Sequence, residues 1–357
     1  MSSIALLGPE LSKLDQDLGL LSADINSLTP FWEKTVRGRY GDWISNISGT
    51  RQILRILSET SPHWSEILGD SSKKTYLLAL QNPAELRPSG GFLGSFGLLT
   101  FDKGKLLTFQ INDIYSADGQ FKIHVAPPDE ILHFLGQPNW YMRDANWSAD
   151  FPLTARRLEW FLDKEMGITA SGVIGVDLHA VENLLQATGT VDLPDFGEKV
   201  TAGNFFEKAE FRSEIKFFPG STQKPDFISA VANELVLRLE SGRLDYPDKL
   251  LSAIIKSTIG KNIQVYVDDP GLQRILAQNS VTGELRPDYC QNNFSICMAQ
   301  VDANLGANKS NYYLERNFNL AGQISKDGDL DFVYKINLIN HSPNNTWPGG
   351  SYKDYLR

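Results

Sequence analysis

This chain is short of cysteine, short of histidine, and free of any long apolar run. Each shortage excludes something. There are two cysteines and five histidines in 357 residues. His63, His124, His133, His179 and His341 are scattered, which gives histidine-based metal or triad chemistry little support. Cys290 and Cys297 stand in "CQNNFSIC" with no histidine nearby, a poor zinc site and not a C-x-x-C redox motif. The polar spacer predicts a loop closed by a disulfide, with two free thiols as the alternative. A disulfide would point outside the cytosol.

No stretch approaches the roughly 20 apolar residues that span a bilayer. The opening "MSSIALLGPELSK" has neither a basic n-region nor a long h-region. The expectation is either a cytoplasmic protein or the ectodomain of a longer chain cut after its membrane segment. A basic stripe is missing as well, and the formal net charge is −9. That argues against a nucleic-acid partner, because phosphate contacts need clustered Lys and Arg. Also absent are the G-x-x-x-x-G-K-[ST] and G-x-G-x-x-G phosphate loops, the G-x-S-x-G elbow, H-E-x-x-H and S-x-x-K.

What is present is ordinary globular composition, 41% hydrophobic and 22% charged, long enough for a sizeable core. Leu11, Leu14, Leu18, Leu21, Ile25 and Leu28 alternate steps of three and four, a helical seam that Thr29-Pro30 ends. A second helix is expected over about 50–68. These form an N-terminal helical hairpin, residues 1–71. From 72 to 305, strands alternate with helices. Strands are predicted at 76–81, 92–101, 106–112, "GVIGVD", "TVDLP" and "NIQVYVDD". Helices are predicted at "PPDEILHFLG", "FPLTARRLEWFLDKEMG" capped by Asp150, "LHAVENLLQATG", 226–240, 247–257 and "PGLQRILAQ". The fold class is α/β, a mixed central sheet flanked by helices. From 306 to 357, "NYYLERNFNLAGQI", a turn at "SKDGD" and "LDFVYKINLIN" read as a β-hairpin, the start of a C-terminal β region that looks unfinished at "YKDYLR".

Four segments carry candidate chemistry. In "QNPAELRPSGGFLG", Asn82, Ser89, Gly90 and Gly91 surround Arg87. Glycine lets backbone N–H groups approach a ligand, and a guanidinium fork suits phosphate or carboxylate. Alternatively, this is a strand kink with Arg87 paired to Glu85 or another carboxylate at the surface. In "NDIYSADGQFK", Asp113 and Asp118 lie just past a strand end, with Tyr115, Gln120 and Lys122 near them. Two acids there could hold Mg²⁺ or act as a base; otherwise "ADGQ" is an Asx-type turn. In "YMRDANWSADFP", Arg143, Asp144, Asn146 and Asp150 crowd one loop. Its Trp147 and the nearby Trp140 stack on a sugar or fill the core. In "STQKPDF", Lys224 faces an anion or solvent, and Asp226 is a cap.

The blocks "LLALQNPAELRPSGGFLGSFGLLTFDKGKLLTFQINDIYSADGQ", "RDANWSADFP", "SGVIGVDLHAVENLLQATGTVDLP" and "LGANKSNYYLER" closely resemble the bacterial DUF4012 family, for which no activity is established. More distantly, the order of elements is similar to the LytR-CpsA-Psr domain. That resemblance implies a membrane-anchored envelope protein. Its relatives transfer glycopolymers from a polyprenyl-pyrophosphate carrier to the cell wall, using Mg²⁺ and arginines on the pyrophosphate and an apolar tunnel for the lipid. Carried over, Arg87 matches the first arginine, Asp113 falls in the arginine-aspartate region, and Lys224 with Asp226 fall near the later basic cluster. Three departures stand out. "SGGF" replaces an expected aspartate, Asn112 replaces an arginine before Asp113, and one lysine replaces several arginines.

Two readings follow. One is a glycopolymer phosphotransferase with Arg87, Asp113 and Lys224 catalytic and Mg²⁺ on Asp113 and Asp118. The other is a non-catalytic envelope module that binds a polyprenyl-linked glycan or another anionic lipid or glycan, or that scaffolds partners through its helical prefix. Both place the protein at the cell envelope, near a membrane through a segment outside this chain. The anion-site reading requires Arg87 and Asp113 to converge on one cavity at one rim of the sheet.

Overall fold

The computed structural model describes residues 7–28, 30–214, 223–240, 247–286, 297–342 and 348–357. The first helix, α1, covers Leu7–Ser27 and the second, α2, covers Pro30–Thr60. The second helix was expected 20 residues later. Pro30 is compatible with the first helical turn, where no N–H partner is lost, so the helix starts there rather than after it. Pro62 then sits in a short 3-10 turn, Ser61–His63, before α3, Trp64–Ile67.

The core is a five-stranded sheet in the order β3-β2-β1-β4-β7. The strands are β1 (Lys74–Asn82), β2 (Phe92–Asp102), β3 (Lys105–Asp113), β4 (Gly172–Asp177) and β7 (Ile263–Val267). β1 pairs antiparallel with β2 and parallel with β4, so the sheet is mixed, and the α/β fold class holds. β3 and β7 are antiparallel to their neighbours. The parallel β1–β4 pair requires a crossover, which the long segment 83–171 supplies.

Between β3 and β4 lie α4 (Ile114–Asp118), α5 (Asp129–Leu135) and α6 (Phe151–Met166). Asp150 caps α6 by accepting from the Leu153 N–H at 3.0 Å, and Gly167 closes it at φ +66°. Phe151, Ala155, Leu158, Phe161 and Leu162 come from one face of α6 and pack on Leu77, Phe96 and Val173 of the sheet. This is the 3.6-residue periodicity the sequence displays.

A second core forms over β4. It is built from α7 (Leu178–Thr188), the small hairpin β5 (Val191–Leu193) and β6 (Glu198–Val200), α8 (Phe205–Glu214) and α9 (Gln223–Glu240), with Phe205, Phe227 and Val231 inside. β6 and α8 have no counterpart in the sequence expectations. Then come α10 (Pro247–Ile259) and α11 (Pro270–Gln278).

The C-terminal stretch combines a return to the core with a projecting ribbon. β8 (Asp302–Asn304) pairs with β11 (Asp354–Leu356). Between them β9 (Leu314–Ile324) and β10 (Leu330–Asn340) form the expected hairpin.

Candidate functional site

The ends of β1, β3 and β4 and the start of β7 meet at one rim, because β3 and β4 run parallel to β1 while β7 runs against β4. Asn82, Asp113, Asp177 and Ile263 mark that rim. Pro83 ends β1, since it has no N–H to continue the ladder. The loop 83–91 then folds back on itself. Asn82 Oδ1 accepts from the Ala84 N–H at 3.0 Å, the Gly90 N–H donates to Arg87 O at 3.0 Å, and the Phe92 N–H donates to Glu85 O at 2.8 Å.

The glycines serve this packing. A Cβ on Gly91 would lie 2.2 Å from the Asn82 carbonyl, and one on Gly90, at φ +152°, would lie 2.6 Å from Gln81 Oε1. Neither peptide faces open space. Asn146, fully buried, donates to Gly91 O at 2.6 Å, and Gln264 donates to Ser89 O at 3.2 Å. Ser89 Oγ reaches Gln81 Oε1 at 3.5 Å. Gly91→Ala is therefore expected to cost about 1–3 kcal/mol of stability, read by urea unfolding.

Arg87 is 2% exposed. Its Nε and Nη2 donate to Asp144 Oδ1 at 3.3 and 3.2 Å, and Nη2 donates to Glu85 Oε1 at 3.1 Å. Its Nη1 donates to the Asn304 and Leu86 carbonyls at 2.9 and 3.3 Å. A guanidinium has five N–H groups, so these contacts account for its donors. The pairing with Glu85 weighed above is present, but in the interior rather than at the surface.

The network extends in both directions. Lys309 donates to Glu85 Oε2 at 2.7 Å. Arg143 lies 3.6 Å from Asp144 and donates to Asp118 Oδ2 at 2.7 Å and to Gln137 Oε1 at 2.9 Å. Asp118, Arg143, Asp144, Arg87, Glu85 and Lys309 thus alternate in sign and sum to zero. Burial raises the Glu85 carboxyl, but Lys309 and then Arg87 outweigh it and leave it below its usual range. Burial pushes Asp118 up to about 6 against the pull of Arg143. Glu165 sits at the far end, accepting from the Met142 N–H at 3.3 Å; burial and then Asp118 push it up to about 8.

Arg143 is the more accessible cation. Its guanidinium stacks 4.3 Å from the Tyr141 ring and 5.5 Å from Tyr115, which is 41% exposed. Asp118 is no Asx turn: it ends α4 and pairs across the fold. Asp113 is the last residue of β3 and lies opposite Ser95 in the ladder. Among the described residues no group of three or more His, Cys, Asp or Glu side chains is arranged for a metal. With Asp118 Oδ2 held by Arg143, Asp113 and Asp118 do not make a protein-only Mg²⁺ cage.

Beside Asp113 the rim opens into a cavity of about 40 Å³. Its apolar walls are Leu80, Val176, Val181, Phe205, Ala209 and Ile228, from β1, β4 and the three helices α7, α8 and α9. Its polar lining is Gln81, Asn82, Ser95, Asp177 and Glu210. Asn82 donates to Glu210 Oε1 at 2.6 Å. Asp177 caps α7 and is held by Asn262 at 2.8 Å. Ser95 Oγ is buried and finds no hydrogen-bond partner among the described residues. Neither Arg87 nor Asp113 is among the wall residues.

The other candidates scatter. Gln120 and Lys122 are exposed, and Gln120 donates to its own helix at Ser116 O. Asp226 is exposed in the first turn of α9. Lys224 belongs to the same turn, but its side chain lies outside the described residues. Trp147 is buried and stacks on Tyr355, while Trp140 packs on Phe161 and donates to Asp144 O. Both fill the core. Cys297 is disulfide-bonded in a chain of two cysteines, and Cys290 lies outside the described residues. Lys309, Asn304, Glu165 and Glu210 were not singled out by motif. A polar cluster in "ANLGANKSNYY" was the available signal for the first two.

Residues 71–212 match the family model described as a protein of unknown function, DUF4012. The match takes in less than half of the chain. The region spans β1 to α8, and so contains Arg87, Asp113, Asp118, Arg143 and most of the cavity wall. No curated protein matches the chain. Among solved structures it is similar to the protein gbs0355 from Streptococcus agalactiae, at 14% identity over 61% of this chain and 76% of that one, with a TM-score of 0.39. The transcriptional regulator yvhJ from Bacillus subtilis is 16% identical over 57% and 76%, with a TM-score of 0.33. The Lin1025 protein from Listeria innocua is 12% identical over 73% and 91%, with a TM-score of 0.32.

Proposed function

We propose that this DUF4012 protein is a cell-envelope binding module for a lipid with an apolar chain and an anionic head, of the polyprenyl-phosphate-linked glycan class. The observation that carries the reading is the apolar cavity under α7, α8 and α9, which opens at the rim where β3 ends. An isoprenoid chain would enter between Val181, Phe205 and Ile228, widening the cavity as those helices part. The head would lie outside, toward Asp113, Tyr115 and Arg143, whose guanidinium would share its donors with Asp118 and Gln137. Asp113 would hold a Mg²⁺ ion, which would neutralise phosphate charge there. Arg87 acts as a support: an anion could reach it only by displacing Glu85 or Asp144.

The disulfide at Cys297 supports an oxidising compartment. No helix among the described residues is long and apolar enough to cross a membrane. Membrane proximity would come from a segment outside this chain. Transfer of the glycan to the cell wall is the second reading, favoured by the distant LytR-CpsA-Psr resemblance.

The test is thermal unfolding with farnesyl phosphate, farnesol and inorganic phosphate, each with and without Mg²⁺. Farnesyl phosphate should raise the melting temperature by several degrees, more than either fragment. Ala209→Trp, which fills the cavity, should abolish the shift, and Arg143→Met should reduce it at least tenfold in apparent affinity. No shift with farnesyl phosphate for the parent protein, or an equal shift for Ala209→Trp, would refute the reading.

A further inference from the structure

The ribbon of β9 and β10 is a separate two-stranded sheet, eleven residues per strand. Its register sets Phe318 opposite Ile336, Leu320 opposite Tyr334, and Gly322 opposite Phe332. Directly opposed residues share a face. Phe318, Leu320, Ile324, Phe332, Tyr334 and Ile336 therefore line one side. The other side carries Asn317, Asn319, Gln323, Asp331 and Lys335, with Val333 and Ile339 among them. The apolar side is not buried: Phe318 is 50% exposed, Leu320 58%, Ile324 76% and Phe332 50%. A two-stranded ribbon alone is marginally stable in water. A contiguous apolar patch above a few hundred Å² marks an interaction surface.

We propose that this face docks on the same face of a second copy of the chain, ribbon against ribbon about a two-fold axis. Two such faces would remove on the order of 1,200 Å² from water, at the lower end of a specific interface. The centre of the face is uncharged, with Phe318 and Tyr334 stacked at 6.1 Å and 11° and the Tyr334 hydroxyl donating to Gln300 Oε1 of its own chain. A two-fold axis through that centre sets it against its own copy without opposing like charges. Charge appears only at the ends. Arg316 lies at the base, where its Nη1 reaches Asp302 at 3.4 Å. Lys326, Asp327 and Asp329 lie at the tip, in the turn around Gly328, and leave it with a net negative charge. Antiparallel docking brings the base of one ribbon to the tip of the other, so Arg316 meets the partner subunit's Asp327. A flat anionic membrane would instead face a tip whose two acids outnumber Lys326. This interface does not depend on the lipid cavity.

Sedimentation equilibrium of the 357-residue chain between about 1 and 100 µM should show a monomer–dimer equilibrium. Leu320→Asp with Phe332→Asp should weaken dimerisation at least about 100-fold, leaving the far-UV spectrum of the core unchanged. Arg316→Glu should weaken it, and Arg316→Glu with Asp327→Arg should restore it. A monomer across the range would overturn the proposal and leave the face to another molecule or chain segment. A dimer that survives the double aspartate variant would overturn it too, since it would use a different surface.

Discussion

Arg87→Met is expected to lower the free energy of unfolding by about 3–5 kcal/mol, because it leaves Glu85 and Asp144 charged, buried and short of a partner. Both carboxylates are under a tenth exposed, and Arg87 contributes a donor to each. Removing it also frees the Asn304 and Leu86 carbonyls from their guanidinium contacts. Lys309→Met should cost somewhat less, since Glu85 would keep Arg87. The double variant should lose more than the sum, because each single variant leaves Glu85 one cation and the double leaves it none. Urea unfolding at neutral pH reads all three. An Arg87→Met protein as stable as the parent would mean that the network is solvated. A catalytic role without a structural one would leave stability unmoved and abolish ligand binding instead.

Glu165→Gln should stabilise the protein at pH 8 and flatten its stability against pH. Burial, then the nearby Asp118 charge, raise the native Glu165 carboxyl to about 8, above its ordinary value near 4.5. Between those values the native state holds a proton that the unfolded chain has released. The unfolded state binds fewer protons, so stability falls as pH rises through the window, by at most about 1.4 kcal/mol per unit. Asp118, raised to about 6, adds a slope of the same sign over a lower range. Glutamine keeps an oxygen for the Met142 N–H and removes the charge. Allowing for water reaching the site, we expect a gain of about 1–3 kcal/mol at pH 8 and little at pH 5. Urea titrations of both proteins at pH 5, 6.5 and 8 measure the difference. Parallel curves would show that Glu165 is ionised throughout.

These two predictions rest on side chains of different legibility. Arg87 was visible, because a lone cation in an apolar, glycine-bearing stretch is unusual. Glu165 was not: it occupies one position on the amphipathic helix α6, and nothing local marks it as buried under the 141–145 turn. Gly90 and Gly91 were read as room for a ligand. The same absence of a side chain instead lets the Asn82–Pro83 backbone approach, a contact that spans only nine residues yet depends on β2 folding back on β1. Asp118 looked like a turn residue, and its partner Arg143 lies 25 residues away in another segment.

The sequence by itself determined most of the strands and helices, though not the early start of α2, nor β6 and α8. Periodicity, caps and breakers act within a few residues, and that is why Asp150, Gly136 and Gly167 bound their helices as expected. It also determined the α/β class, through the alternation of those elements. Which charges meet was decided only by the tertiary structure. The Glu85–Lys309 pair joins positions 224 residues apart, and the apolar cavity draws its walls from β1, β4 and three helices. Burial and electrostatic neutralisation are properties of the space between elements, and local propensity does not encode that space.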